Sequence, residues 1–523
     1  MLAAFLPPYP FRGVRAPYLW LYYRLLTEWA GESALFITGR DYVRPSQEWK
    51  NRWECDPDMQ SRLGYSLPDD PLLPDHHYAW LDESRFEQWV TAAGQNPIAA
   101  FRRFLTERDS EFEQELRRLL AAAPAPVEAI ATICNVPALE AVCADLAIPV
   151  IHVELGALRG PIFWETSYLD FQGVNGDTES ASRYDAFEGW SLSLARSDLL
   201  RFFTRAWSFL QSDDRQPDHE LGTVLQVEDD SNLVAFGNGM DNIGLLTIAT
   251  QQMAGDGECP LVRPHPGSSF SIRSGRFDVD DSPNSLSFIQ RCQRIMTINS
   301  SVGLEAILLN KPVNVFGESS FNFILAARDE RELIRRLGFY LFAYLVPFSL
   351  QLAPEYLRFR LSKPAEESIV LYHLDEYLKQ RNLDTKMFAD SSGAERVELS
   401  VLIANQAKVY EEALAERAGQ ISTMTQALAE RDGQLSALTQ AMSECDGQLS
   451  ALMQAVSERD GQLSALTQAL AERDGQLSVL THAVSERDKK IEALLSSTSW
   501  RMTKIVRFFG RLLRGTARRT SSG

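Results

Sequence analysis

The sequence predicts an α/β protein of two similar halves with parallel strands, followed by a long α-helical coiled coil. Three stretches carry that prediction. In IMTINSSVGLEAILLNKPVNVFG (Ile295–Gly317), an apolar run leads into small polar residues, a helix-period segment and a β-branched run, which is a strand, N-cap, helix, strand order. The same order recurs upstream, where VEAIATI (127–133) and IPVIHVE (148–154) flank the helix-period PALEAVCADLA, so those strands are expected to be parallel. Beyond Val401 the chain becomes a repeat, LSALTQALAERDGQ with variations.

The first half, 1–210, adds aromatic helices such as YLWLYYRLLTEW to its strands. After the polar break QSDDRQPDHE (211–220), the second half, 211–400, resumes with TVLQVE as a strand, IGLLTIATQQM as a helix, PLVRPHP as a strand and FIQRCQ as a helix, then the βαβ unit at 295–317. Residues 320–395 read as mainly helical and are expected to pack back over both halves. In the third segment, 401–495, Gly419, Gly433, Gly447, Gly461 and Gly475 stand 14 residues apart, two heptads. Leu435, Leu438 and Met442 exemplify its a, d and a positions, while the next d is Arg431, Cys445, Arg459, Arg473 or Arg487, which weakens the seam. Self-association through this segment is expected, and as a continuous helix it would extend on the order of 140 Å at 1.5 Å per residue, enough for a spacer. The last segment, 496–523, carries seven basic and no acidic residues from Trp500 onward, interleaved with apolar ones, the pattern of a helix on anionic lipid or on a partner protein.

A formal charge of −18 argues against nonspecific nucleic-acid binding by the body of the protein. The six cysteines form no C-x-x-C pair and read as free thiols of a reducing compartment. The start lacks a basic n-region before an apolar run, and no stretch of 18 apolar residues occurs, so neither an export signal nor a membrane span is expected. Asp75-His76-His77 has no third ligand cluster at metal spacing, and no glycine-rich phosphate loop of either common type is present.

Chemistry concentrates in three polar clusters that follow strand-like runs of the second half: QVEDDSN (226–232), RPHPGSS (263–269) and NSSVGLE (299–305). Ligands of open α/β sheets gather outside the carboxyl ends of the strands, so these clusters are expected to converge. An acidic pair supplies a nucleophile or base, an imidazole meets a phosphate, and a serine-capped helix start takes further phosphate oxygens. Singly, Asp229-Asp230 also reads as a solvated helix start and His265 as a packed or surface histidine. Together they point to a nucleotide-sugar site.

The order Q-V-E-D-D, R-P-H-P, S-S-V-G-L-E-A-x-L-L-x-K-P-V resembles the retaining β-Kdo glycosyltransferases of bacterial capsule and lipopolysaccharide O-antigen biosynthesis, and more distantly the CMP-sialic acid transferases of GT-B architecture, over roughly residues 1–350. The resemblance implies two Rossmann-like domains around a cleft, CMP-Kdo as donor, no other cofactor and no metal. It implies that His265, Ser300 and Ser301 hold the CMP phosphate, that Gln226 belongs to the donor side, and that Gly303 lets the backbone approach closely. Glu305 reaches the ribose or is a surface residue of its helix. Asp230 is the expected nucleophile, with Asp229 as rival, and Glu154 of HVELGALRG is the acid/base for the acceptor or a solvated loop carboxylate. Arg159 is a candidate partner for a sugar carboxylate. The acceptor implied is a lipid-linked surface glycan, at the cytoplasmic face of the bacterial inner membrane, and the coiled coil and basic tail resemble those of enzymes that cap a polysaccharide chain. Two alternatives stay open at this level, an inverting CMP-sialic or nonulosonic acid transferase and a noncatalytic scaffold of a synthesis complex.

Overall fold

The computed structural model describes residues 1–504 apart from 9–10, 188–189, 206–215, 255–257, 269–271 and 274. Two compact units result, Met1–Leu414 and Ala415–Gly523.

The first unit holds both sheets. Its strands in chain order are β1 (Leu2–Phe5), β2 (Leu35–Thr38), β3 (His77–Trp80), β4 (Ala129–Thr132), β5 (Val150–Leu155), β6 (Thr166–Asp170), β7 (His219–Val224), β8 (Leu261–Arg263), β9 (Asp278–Val279), β10 (Cys292–Thr297), β11 (Val313–Val315) and β12 (Val346–Pro347). One sheet has the order β12-β6-β5-β4-β1-β2-β3 and the other β11-β10-β7-β8-β9. The second is parallel throughout. In the first, β3 to β5 are parallel through β1 and β2, while β6 and β12 run antiparallel at one edge. Every residue of β1, β2 and β4 is buried, as expected of parallel strands covered by helices on both faces.

Both predicted βαβ units form. β4 and β5 pair in parallel around the helix Pro137–Asp145, and β10 and β11 around the helix Val302–Leu308. Boundaries shift where pairing overrides local pattern. β7 begins at His219, inside the polar break, because it pairs with β10 from His219↔Cys292 onward. For the same reason Cys292 and Gln293, which continue the helical pattern of FIQRCQ, belong to β10.

Segment 320–395 is mostly helical, yet it also supplies β12, paired Val346↔Ser167 with β6 of the first sheet. Buried Arg24, on the aromatic helix Leu19–Glu28, holds this return in place. Its guanidinium lies 3.6 Å from the Phe348 ring centroid and donates to Gln351 Oε1 at 2.8 Å and to the Phe348 carbonyl. A second core unites buried residues of 157–203 with those of 304–345 and 370–404, so chain on both sides of residue 210 shares one interior.

The long helix runs Gly393–Ser496, beginning eight residues ahead of the repeat. Val397, Val401 and Ala404 are buried, whereas the heptad positions beyond are open to solvent, with Leu435 65% and Leu438 63% exposed. A Cβ at any of the five periodic glycines would meet no neighbouring atom. A short helix, Thr498–Met502, follows, capped by Ser497, whose hydroxyl accepts from the Trp500 N–H at 3.3 Å. Most of the basic tail, from residue 505, lies outside the described residues. No helix among them is long and apolar enough to cross a membrane.

Two glycines give opposite expectations. A Cβ on Gly222 of β7 would sit 2.6 Å from Cys292 Sγ and 2.8 Å from Ile295 Cδ1, so Gly222→Ala is expected to destabilise the protein by about 1–3 kcal/mol through overpacking. Gly447→Ala meets nothing and is expected to stabilise the helix by about 1 kcal/mol. Thermal melts followed by circular dichroism check both signs.

Candidate functional site

The site forms where strand ends of both sheets face one another. From the second sheet come the segments after β7, β8 and β10, which carry Gln226 to Asn232, His265 to Gly267, and Asn299 to Ser301. From the first come the end of β5, with Glu154 and Arg159, and the loop after β1, with Arg12. All three predicted clusters therefore converge.

Amide side chains stitch the second-sheet ends together. Gln226 Oε1 accepts the Asn299 N–H at 3.1 Å, and Asn299 Nδ2 donates to the carbonyls of Asn232 (3.1 Å) and Phe236 (3.2 Å). Asn242 brackets the Gln226 backbone, accepting from its N–H at 3.1 Å and donating to its carbonyl at 2.8 Å.

Two connected spaces result. The larger is a cavity of about 970 Å³ walled by Arg12, Glu154, Arg159, Asp229, Asp230 and Asn232 among others. The smaller is a recess of about 90 Å³ lined by Gln226, His265, Asn299, Ser300, Ser301, Ser319 and Ser320. Arg159, Asp230 and Asn232 line both, so Asp230 stands at their junction.

The predicted residues take distinct places. Asp230 is the N-cap of the helix Ser231–Phe236, its Oδ1 accepting the Asn232 N–H at 2.9 Å. Asp229 lines only the larger cavity and is ion-paired with Arg12 at 3.1 Å, a bond from the second sheet's side of the cleft to the first's. His265 Nδ1 accepts the Gly267 N–H at 2.9 Å, which leaves the ring proton on Nε2. Burial lowers the His265 pKa against the opposing pull of Asp230, so the ring is neutral at pH 7. Ser300 Oγ accepts the Val302 N–H at 3.3 Å, so of the two serines Ser300 caps the helix, while the Ser301 hydroxyl makes no capping bond. Glu154 is half-buried on the cavity wall, with Oε1 accepting the Leu155 N–H at 2.7 Å. Burial pushes its pKa up to about 7, against the lowering effects of that hydrogen bond and of Arg159. Arg159 Nε donates to the Gly156 carbonyl at 2.8 Å, which fixes its guanidinium over the shared wall.

Two expectations change. Gly303 is buried under Phe321, whose Cζ lies 3.0 Å from where a Cβ would stand, so its small size serves helix packing, and it lines neither space. Glu305 is not a surface residue of its helix. It is 7% exposed, burial pushes its pKa up to about 7, and it lines neither space.

Arg12, Asn175 and Ser319-Ser320 were not anticipated. Arg12 had a readable signal, since PFRGVRAP directly follows the first strand, at a carboxyl end like the others. Ser320 had none. It joins the recess because its Oγ bonds Tyr340 Oη at 2.8 Å, a contact made only by folding. At the Asp75-His76-His77 stretch, His76 is buried 5.3 Å from the Phe36 ring, and no metal-binding cluster exists among the described residues.

Residues 4–179 match the Glycosyltransferase 99 family N-terminal domain, and residues 223–336 match the capsule polysaccharide biosynthesis protein domain. These are the domains of a capsule polysaccharide biosynthesis glycosyltransferase. Solved structures similar to this chain include two of KpsC from Thermosulfurimonas dismutans. The beta Kdo 2,7 transferase is 16% identical, covers 40% of this chain and 70% of its own, and has a TM-score of 0.30. The beta Kdo 2,4 transferase is also 16% identical, with coverages of 38% and 72% and a TM-score of 0.29. The UDP-GlcNAc 2-epimerase from Methanocaldococcus jannaschii is 11% identical, with coverages of 69% and 99% and a TM-score of 0.23. No curated protein matches the chain.

The raised Glu154 pKa has a consequence for stability. A carboxyl whose folded pKa is about 7 and whose ordinary value is 4.5 holds its proton more tightly when folded, so the native state loses stability as pH rises between those values. Glu305 contributes in the same pH range, so Glu154→Gln is expected to reduce that slope and the double change Glu154→Gln/Glu305→Gln to reduce it further, measured as denaturant midpoints from pH 4 to pH 8.

Proposed function

We propose that this glycosyltransferase transfers Kdo from CMP-Kdo, with retention and in β linkage, to a surface polysaccharide acceptor. The observation that carries this reading is the junction at Asp230. A recess with His265, Ser300 and Ser301 opens there into a larger cavity with Glu154 on its wall. The Q-V-E-D-D, R-P-H-P and S-S-V-G-L-E order supports the choice of a CMP-activated 2-keto sugar acid.

In this mechanism the CMP phosphate occupies the recess. His265 donates from Nε2, and the hydroxyls and N–H groups of the Ser300-Ser301 turn take further oxygens. Asp230, at the junction, attacks the anomeric carbon as the bond to the phosphate oxygen breaks, and that oxygen leaves with the electron pair. Asp229 is the poorer nucleophile because its Oδ1 is held by Arg12 and it lines only the larger cavity. An acceptor hydroxyl then gives its proton to ionised Glu154 and displaces Asp230, and the second inversion restores the configuration. Arg159, on the wall common to both spaces, is placed to pair with the sugar carboxylate. No metal is required, because side chains and backbone N–H groups meet the leaving charge.

The acceptor in this reading is a lipid-linked glycan at the cytoplasmic face of the inner membrane, and addition of Kdo caps the chain. The repeat helix, self-associated as a coiled coil, is the spacer between the catalytic unit and a membrane-directed or partner-directed tail.

The test is CMP release from CMP-Kdo and from CMP-sialic acid with simple acceptor glycosides. Turnover of CMP-Kdo is expected, reduced at least about 10³-fold in Asp230→Ala and about 10²-fold or more in Glu154→Gln. Since the base must be ionised, kcat/KM is expected to fall as pH drops through about 7. A Kdo adduct on Asp230, seen by mass spectrometry of the denatured protein, supports retention. An active enzyme that forms no adduct would sink retention in favour of inversion, and no response to either donor would sink the donor assignment.

A further inference from the structure

We propose that a cavity remote from the cleft, bounded by Trp164, Arg201, Arg205, Arg381 and Lys408, binds a phosphate group, either inorganic or carried by a lipid headgroup. The cavity has a volume of about 150 Å³ and shares no lining residue with either space of the catalytic site. It forms where the helices Arg196–Phe203 and Glu366–Gln380 end against the stretch Ala404 to Glu411 of the helix that starts at Gly393.

The cations here are built in. Arg381 packs its guanidinium 4.1 Å from the Phe202 ring centroid and 4.7 Å from that of Trp164, and Arg205 lies 5.2 Å from the same Trp164 ring. Arg381 donates to the carbonyls of Phe202 (2.7 Å) and Tyr377 (2.5 Å), and Lys408 Nζ to those of Arg201 (3.3 Å) and Thr204. Those carbonyls orient the two cations without neutralising them. The carboxylates at hand among the described residues are Glu411, exposed on the rim, and Glu412, which acts on Lys408. Burial without a full counter-charge pulls Arg381 down to about 9 and Lys408 to about 8. An anion between them relieves that cost. Guanidinium forks and an ammonium around a small space suit a tetrahedral oxyanion, which accepts several charge-assisted hydrogen bonds at once.

The proposal is independent of the donor chemistry, and its test silences the catalytic recess. Full-length protein carrying His265→Ala is titrated with inorganic phosphate by calorimetry at constant ionic strength. Saturable binding is expected, weakened tenfold or more by Arg205→Gln and likewise by Lys408→Gln. The Arg205 side chain is exposed, so its replacement leaves the packed cations in place and keeps the test meaningful if the lysine variant misfolds. Vesicles of phosphatidylglycerol and of phosphatidylcholine then separate the sources. Loss of phosphatidylglycerol binding in Arg205→Gln assigns a lipid phosphate, and unchanged vesicle binding with lost phosphate affinity assigns a free phosphate or phosphate ester. Absence of saturable binding, or equal affinity in the variants, overturns the proposal.

Discussion

The arrangement of the candidate site rests on a small set of amide hydrogen bonds at the carboxyl ends of β7 and β10. Gln226 holds the Asn299 N–H, and Asn299 holds the carbonyls of Asn232 and Phe236. These bonds fix the acidic turn against the serine turn, two segments separated by about 70 residues of chain. Gln226 and Asn299 are themselves buried, which raises the worth of each such bond, because a buried N–H or carbonyl left unpaired costs about 1–3 kcal/mol. A rigid floor of this kind is what lets Asp230 face two spaces at once.

Across the cleft the first sheet contributes by contact as much as by chemistry. Gly176, in the loop after β6, accommodates the Phe236 ring so closely that a Cβ would lie 2.0 Å from it, and the Asn135 amide donates to the Gly176 carbonyl at 3.2 Å. Arg12 reaches Asp229 in the same region. The cavity therefore has both signs of charge on its walls, with Arg12, Arg15, Arg52 and Arg159 facing Glu154, Asp229 and Asp230. Burial acts on Glu154 and His265 in opposite pKa directions but to one end, since each is moved toward its neutral form. That balance suits a site whose ligand brings its own negative charge.

The second unit follows a different logic. Its apolar heptad positions are more than half exposed, and a 14-residue repeat with one glycine and one polar d position gains little from a single helix. Whatever stability the stripe supplies comes from covering it, which is why its sequence pattern predicts association so directly.

Local pattern and composition determined a good deal by themselves. Both βαβ units, the convergence of QVEDD, RPHP and NSS, and the continuous repeat helix were legible, because a hydrophobic period and an abrupt polar strand end are properties of consecutive residues. Tertiary structure decided the rest. It placed β12 in the first sheet, since a two-residue strand has no pattern of its own and forms only by pairing with β6. It buried Gly303 beneath Phe321 and Glu305 inside the fold, where helical spacing alone allowed a ligand-facing or solvent-facing role. It brought Arg12 to Asp229 across 217 residues and two sheets, and Ser320 to the recess through its bond to Tyr340. Sequence carries periodicity and residue chemistry, whereas burial, ionisation and partnership depend on which distant surfaces exclude water from one another.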